Sequence, residues 1–157
     1  MAKFIPTPLI VILDFMPAST TINPAIVSAY SQTHYGVRTA SRFSLRIGRH
    51  SAPLQVLHSA HGVSCSAYIT ACNPYSQPLT AAQNTARHAA LQRVLRRQGM
   101  AWLPGVGRHL AGHWPGERSV LVLGLGLDAA SVLGIAFRQN AMVWNDVDAV
   151  PQLVLLR

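Results

Sequence analysis

Apolar residues occur along this chain in short runs, and the period of the pattern changes from one run to the next. Within residues 37–47 the odd positions are mostly apolar and the even positions include three arginines, which is typical of a strand with one buried face. Between Thr80 and Gly99 the apolar residues recur at helical spacing. Thr80 is expected to cap this helix and Gly99 to end it. Strands and helices therefore interleave. Because one strand is visibly two-faced, the sequence predicts a single α+β domain with a mixed, largely antiparallel sheet packed with three to four helices.

The same patterns place the other elements. Helices are predicted near residues 24–32, 53–60 and 128–138, with Asp128 as the cap of the last one. Strands are predicted near residues 63–71, 119–125, 141–144 and 152–155. The stretch 102–115 is rich in glycine and proline and is predicted to be a loop with at most a short strand.

A chain of 157 residues is expected to form one domain. We assign residues 23–157 to that domain and residues 1–22 to an irregular N-terminal arm. The apolar part of the arm is interrupted by prolines and by Asp14, and no apolar run in the chain reaches the roughly 18 residues that a membrane span needs. The sequence therefore predicts no membrane association.

The two cysteines lie on either side of one predicted strand. Cys65 and Cys72 are an odd number of residues apart, so their side chains would point to opposite faces of that strand. This predicts free thiols, which favour a cytoplasmic protein, and it predicts Cys72 to be a small buried residue.

The formal net charge of +8 arises from 13 basic residues against five acidic ones. Three arginines lie on the predicted strand and three near the end of the long helix: Arg38, Arg42, Arg46, Arg93, Arg96 and Arg97. If they share one face, the protein would be a basic module that binds RNA, DNA or an acidic protein. The alternative is a solvated sheet face together with cations that favour the helix dipole.

Two segments match known binding motifs, but the residues around them do not fit those motifs. Gly124 and Gly126 follow an apolar run as in a dinucleotide-binding turn, but too few residues follow for the further strands of that fold, and Asp128 would repel a pyrophosphate. His109 and His113 have the spacing of two metal ligands on one helix, but glycines and a proline around them disfavour a helix. We therefore expect no cofactor and no metal.

Side-chain amides are concentrated at the ends of predicted elements, together with the single glutamate. The candidate ligand-binding set is Asn73, Asn84, Glu117, Ser119, Gln139 and Asn140. Asn73 precedes a proline and is expected to be extended, close enough for its amide to meet that of Asn84. The set either satisfies loop backbone in a buried network or lines a pocket for a small polar ligand. In the pocket, Glu117 would be the charged group or a general base, so an enzymatic role stays open.

These residues also carry a resemblance to a known family. The matching segments are His34-Tyr35, Leu45-Arg46-Ile47-Gly48, Ile69-Thr70-Ala71-Cys72-Asn73-Pro74, Asn84, Glu117-Arg118-Ser119 and Gln139-Asn140-Ala141. In this order they resemble the bacterial domain-of-unknown-function family numbered 3293, over about residues 24–155. The family often has an aromatic residue where this chain has Cys72. The resemblance implies a family but no activity.

Overall fold

The computed structural model describes residues 20–157, and residues 1–19 of the predicted arm lie outside the described residues. Four helices and seven strands follow one another along the described chain. The helices are α1 (Pro24–Gln32), α2 (Ala52–His61), α3 (Ala81–Arg97) and α4 (Leu127–Ala136). The strands are β1 (His34–Val37), β2 (Phe43–Leu45), β3 (Ser66–Thr70), β4 (Trp102–Arg108), β5 (Glu117–Leu123), β6 (Ala141–Asn145) and β7 (Pro151–Leu155).

The seven strands form one sheet in the order β2-β1-β4-β5-β3-β6-β7. Each of the six pairings between these described strands is antiparallel. The predicted α+β class, the single domain and the number of helices are confirmed. Within residues 20–157, no helix has the length and apolar character needed to cross a bilayer.

The helices cover both faces of the sheet because successive side chains of a strand point to opposite sides. On β3, Ala67 and Ile69 belong to the core beneath α3 and α4, which includes Leu91 and Leu133. The alternate residue Tyr68 belongs to the core beneath α2. A third cluster packs α1 against β7 on that same side. The candidate site lies on the α1 and α2 side.

The segment 37–47 is a hairpin and not the single strand that its alternation predicts. β1 and β2 pair antiparallel, with Val37 opposite Phe43 and Tyr35 opposite Leu45. Odd positions share a face in both strands because the intervening turn keeps the alternation in phase, so the sequence pattern does not distinguish a hairpin from one strand. Arg38 and Arg42 therefore flank the same turn, rather than lying about 13 Å apart along one strand.

The predicted loop at residues 102–115 is wrong for Trp102–Arg108, which form the interior strand β4, and is confirmed for residues 109–115, which connect β4 to β5. Of its two glycines, Gly105 is needed for close packing. A Cβ atom on Gly105 would lie 2.5 Å from the carbonyl oxygen of Gly36 and 2.8 Å from the hydroxyl oxygen of Tyr68. The ring of Tyr68 contacts that of Tyr35 edge-on, with centroids 5.3 Å apart.

The predictions of the helix ends are partly confirmed and partly wrong. Thr80 caps α3 as predicted, and it forms a capping box with Gln83. Asp128 does not cap α4. Gly126 occupies the N-cap position, and Asp128 lies in the first helical turn, where its negative charge interacts favourably with the helix dipole.

The two cysteines are free, and Cys72 is buried, as predicted.

Candidate functional site

A cavity of about 450 Å³ lies on the α1 side of the sheet. Helix α1 forms one wall, strands of the sheet form the floor, and the loop between β4 and β5 forms the opposite wall. Aliphatic and aromatic side chains dominate the lining, with Ala29 and Tyr30 from α1, Tyr68 and Val143 from the sheet, and Trp114 from the loop. This volume is within the range of about 300–1,000 Å³ that small-molecule sites occupy.

Glu117 places its carboxylate in the wall of this cavity. As the first residue of β5 it follows the loop that carries Trp114. Its Oε1 atom accepts a hydrogen bond from Nδ2 of Asn73 at 2.7 Å and one from Nε1 of Trp114 at 3.1 Å. Within residues 20–157 the other carboxylate oxygen, Oε2, accepts no hydrogen bond. One carboxylate oxygen is thus held in place by two donors, and the second has no donor among these residues.

The environment of Glu117 changes its acidity. Burial raises the pKa of this carboxyl, and the hydrogen bonds from Asn73 and Trp114 offset part of that increase. A half-buried carboxyl in a cavity, with a raised pKa, can exchange a proton closer to neutral pH than an exposed glutamate does. Such groups are concentrated at binding and catalytic sites, although structural networks also contain them.

Asn73 is held by both its backbone and its side chain. Its φ and ψ angles are 43° and 65°, so it is left-handed and not extended as predicted. Asparagine tolerates this conformation better than most residues, which overrides the preference imposed by the following proline. Its Oδ1 atom accepts hydrogen bonds from the backbone N–H of Leu79 at 3.0 Å and from Nδ2 of Asn84 at 2.9 Å. The Oδ1 atom of Asn84 in turn accepts from the backbone N–H of Asn73 at 2.9 Å.

The remaining members of the predicted set occupy different depths. Gln139 lines the cavity, and its Nε2 atom donates to the backbone carbonyl oxygen of Cys72 at 3.1 Å. Ser119 also lines the cavity, next to Glu117 on the same face of β5. Asn140 lies outside the lining, where its Nδ2 atom donates to Oγ of Ser76 at 3.0 Å and to the hydroxyl of Tyr30 at 3.4 Å.

The structure thus brings four of the six predicted residues to one cavity: Asn73, Glu117, Ser119 and Gln139. Asn84 supports Asn73 from behind, and Asn140 joins α1 to the short turn that follows Asn73. Both interpretations of the amides therefore have a structural counterpart, since the same side chains satisfy backbone groups and line a hollow.

The aromatic part of the lining was missed by the sequence reasoning. Trp114 lies three residues before Glu117, and this proximity was the one available signal. Tyr30, Tyr35 and Tyr68 come from three separate elements, and their residue type in the sequence does not show where they meet. His109 and His113, considered above only as metal ligands, also line the cavity. Among residues 20–157, no group of three or more histidine, cysteine or acidic side chains is arranged to hold a metal ion.

The predicted arginine set is divided between two places. Arg38 and Arg42 line a second groove, together with Arg108, which the sequence reasoning did not select. Arg46 is near that groove, with Nη1 at 2.6 Å from Nε2 of His34. The other three, Arg93, Arg96 and Arg97, lie on α3, where the guanidinium of Arg96 stands 5.9 Å from the centroid of the Trp102 ring.

Comparison with known proteins gives a family and no function. No curated protein matches the chain, and no solved structure matches it. Residues 69–142 match the family described as "Protein of unknown function (DUF3293)". That segment contains all six predicted ligand-binding residues and most of the polar side of the cavity. This match over residues 69–142 supports the family that the resemblance in the sequence predicted.

Proposed function

We propose that this domain binds a small ligand in the cavity beneath α1, and that the ligand combines an apolar portion with a hydrogen-bond donor. The observation that carries the proposal is the carboxylate of Glu117. It stands in the wall of a mainly apolar cavity, where Asn73 and Trp114 both donate to one of its oxygens and no donor within residues 20–157 bonds to the other.

The residues of the cavity walls suggest how the apolar and polar portions of such a ligand would be oriented. Its apolar portion would lie against α1 and the tyrosines of the floor, where burial of apolar surface contributes about 25 cal/mol per Å². Its donor would bond to Oε2 of Glu117 away from bulk water, where a hydrogen bond to a charged group is worth about 1.5–3 kcal/mol. The amide of Gln139 supports the polar end, because its Nε2 is engaged by backbone carbonyls and its orientation is therefore set.

The same oxygen is the group that would act if the ligand reacts. A carboxylate whose pKa is raised by burial is better matched to accepting a proton from a bound O–H or N–H group than an exposed one is. Ligand binding is the function proposed here, and proton abstraction by Glu117 is the reaction that this site would support.

The test is a thermal-shift screen of small metabolites, because a ligand that binds only the native state raises the melting temperature. Compounds that raise it are then measured against two variants. Glu117→Gln keeps the shape of the side chain and removes its charge, so the shift should be lost. Asp128→Asn makes the same change at an exposed carboxylate on α4 and should leave the shift unchanged.

A second pair of variants tests the location without altering the carboxylate. Ala29 lines the cavity from α1, so Ala29→Phe would fill the hollow and block the apolar part of the ligand. Ser28→Phe adds the same bulk to an exposed position on the same helix and should be tolerated. Hits that bind both Glu117→Gln and Ala29→Phe as well as they bind the unmodified protein would refute the proposal.

A further inference from the structure

The sheet face turned away from the Glu117 cavity carries a groove of about 330 Å³ across β2, β1 and β4. Tyr35 and Leu45 point into the core beneath α2, so the alternate residues of the same strands point to this opposite face. The residues that line this groove include His34, Gly36, Arg38, Arg42, Ser44 and Arg108. Helices α1 and α2 pack on the other side of the sheet, and the core beneath α3 and α4 on this side contains none of the residues that line the groove.

Cations stand at both ends of the groove. At one end Arg38 and Arg42 flank the hairpin turn, directly beyond the pair formed by Val37 and Phe43, and both are exposed. At the other end exposed Arg108 pairs with His34 across β1 and β4, with the guanidinium of Arg46 against the His34 ring. Four residues of β1 separate the two ends, which is about 13 Å along a strand.

Between these two ends, the floor of the groove is formed by backbone at Gly36, which has no side chain. Gly36 is paired with Ser44 on one side and with Val106 on the other. A Cβ atom on Gly36 would lie 3.0 Å from the carbonyl oxygen of Val106, so the chain is closely packed here and presents backbone to the groove. The width from β2 across β1 to β4 is two interstrand spacings, or about 10 Å. This is room for one extended strand of a polymer.

The acidic residues of the described chain are engaged elsewhere. Glu117 lines the cavity on the other face, and Asp128 lies on α4. Asp146 and Asp148 accept hydrogen bonds from backbone N–H groups of the turn between β6 and β7. Partial burial and then the charges of Arg46 and Arg49 hold the pKa of His34 below its ordinary value.

We propose that this groove binds a single strand of nucleic acid through its phosphates, without sequence preference. A stacked strand advances about 3.4 Å per nucleotide, so the 13 Å between the two clusters corresponds to roughly four nucleotides. Arginine suits this partner because its planar guanidinium can hold two phosphate oxygens at once. The ring of Phe43 packs against the core of the other face, so the contacts that we expect to carry recognition are those between the arginines and the phosphates.

The experiment measures fluorescence anisotropy of a labelled 12-nucleotide thymidine strand from 50 to 200 mM salt. Three phosphate contacts, from Arg38, Arg42 and Arg108, predict a log–log salt slope of about −2, which is a loss of about 20-fold in affinity over that range. Arg38→Gln with Arg42→Gln removes two contacts, so the loss should shrink to about threefold. Arg93→Gln with Arg97→Gln makes the same change in net charge on the exposed side of α3 and should retain the 20-fold loss.

The results that would overturn the proposal are equally distinct. An equal change of slope in both double variants would mean that net charge and not the groove attracts the strand. Thymidine monophosphate that competes as well as the 12-mer at equal phosphate concentration would reduce the site to a simple anion site. Tighter binding of a duplex of the same length would exclude a single-strand groove. Glu117→Gln should not alter this binding, so the groove and the cavity beneath α1 are tested separately.

Discussion

Replacing Asn73 with aspartate would convert the hydrogen bond at the centre of the cavity wall into a pair of carboxyl groups. The two side chains have the same shape, so the acceptor of the Leu79 N–H and of the Asn84 amide is retained. The donor to Glu117 is replaced by an oxygen at the same position. The left-handed backbone of residue 73 also suits aspartate. Asn73→Asp therefore changes one interaction and little else.

The distance in the structure sets the size of the effect. Two ionised oxygens 2.7 Å apart would repel by about 6 kcal/mol at an effective dielectric constant of about 20. Protonating one carboxyl with an ordinary pKa near 4 costs only about 4 kcal/mol at pH 7, so the pair takes up a proton instead. The shared proton then restores a hydrogen bond. We expect Asn73→Asp to lower the free energy of unfolding by about 4 kcal/mol at pH 7. This loss should shrink by about 1.4 kcal/mol for each unit by which the pH is lowered, and it should disappear near pH 4.

The assay is urea unfolding of the unmodified protein and of Asn73→Asp at pH 4.5, 5.5, 6.5 and 7.5. The native variant holds a proton that the unfolded chain releases, so its stability falls as pH rises. Combining Asn73→Asp with Glu117→Gln removes the second carboxyl and should abolish this pH dependence, which is the coupling that a double-mutant cycle isolates. A stability difference that stays constant over the four pH values would refute the reasoning.

Two further predictions concern the parts of the core that support the two sites. His58 is buried against Ser66, with Nε2 at 2.8 Å from Oγ, and burial holds its pKa below the ordinary value. Its contribution to stability is therefore complete above about pH 6.5 and is lost as the pH falls, and urea unfolding of His58→Gln should show a weaker loss between pH 7 and 5 than exposed His61→Gln does. Gly105→Ala should lower the free energy of unfolding by about 1–3 kcal/mol because its Cβ has no room, while Gly107→Ala on the same strand, whose Cβ would make ordinary contacts at 3.8 and 3.9 Å, should change it by less than about 0.5 kcal/mol; equal effects in either pair of variants would contradict these assignments.

Elements whose signals are local could be predicted from the sequence. The capping box of α3 forms among residues three apart, and the period of the apolar residues behind it needs no partner to be recognised. The contact between Asn73 and Asn84 was also within reach, because they are 11 residues apart across one turn. The hairpin of β1 and β2 and the strand β4 were missed. Alternating apolar residues and glycines predict a hairpin or a strand only when the residues on the neighbouring strand are known.

The candidate site shows the same division on a larger scale. The candidate polar groups could be identified from residue type alone, since amides and one glutamate at element ends are unusual in a chain with five acidic residues. Their positions in space depend on separations along the chain of 44 residues from Asn73 to Glu117 and 67 residues from Cys72 to Gln139. Those separations are closed by strand pairing across β5, β3 and β6, a register that no single strand encodes alone.

The sequence by itself determined the α+β class, the Thr80 cap of α3, the family resemblance and the candidate polar residues, because each depends on composition or on short stretches of sequence. Only the tertiary structure decided that four of those residues share a hollow with tyrosines and a tryptophan, and that Arg108 joins Arg38 and Arg42. The physical reason is that a cavity and a charged groove are properties of surfaces brought together by sheet pairing. Burial then changes the pKa of Glu117, which an isolated peptide would leave near its ordinary value.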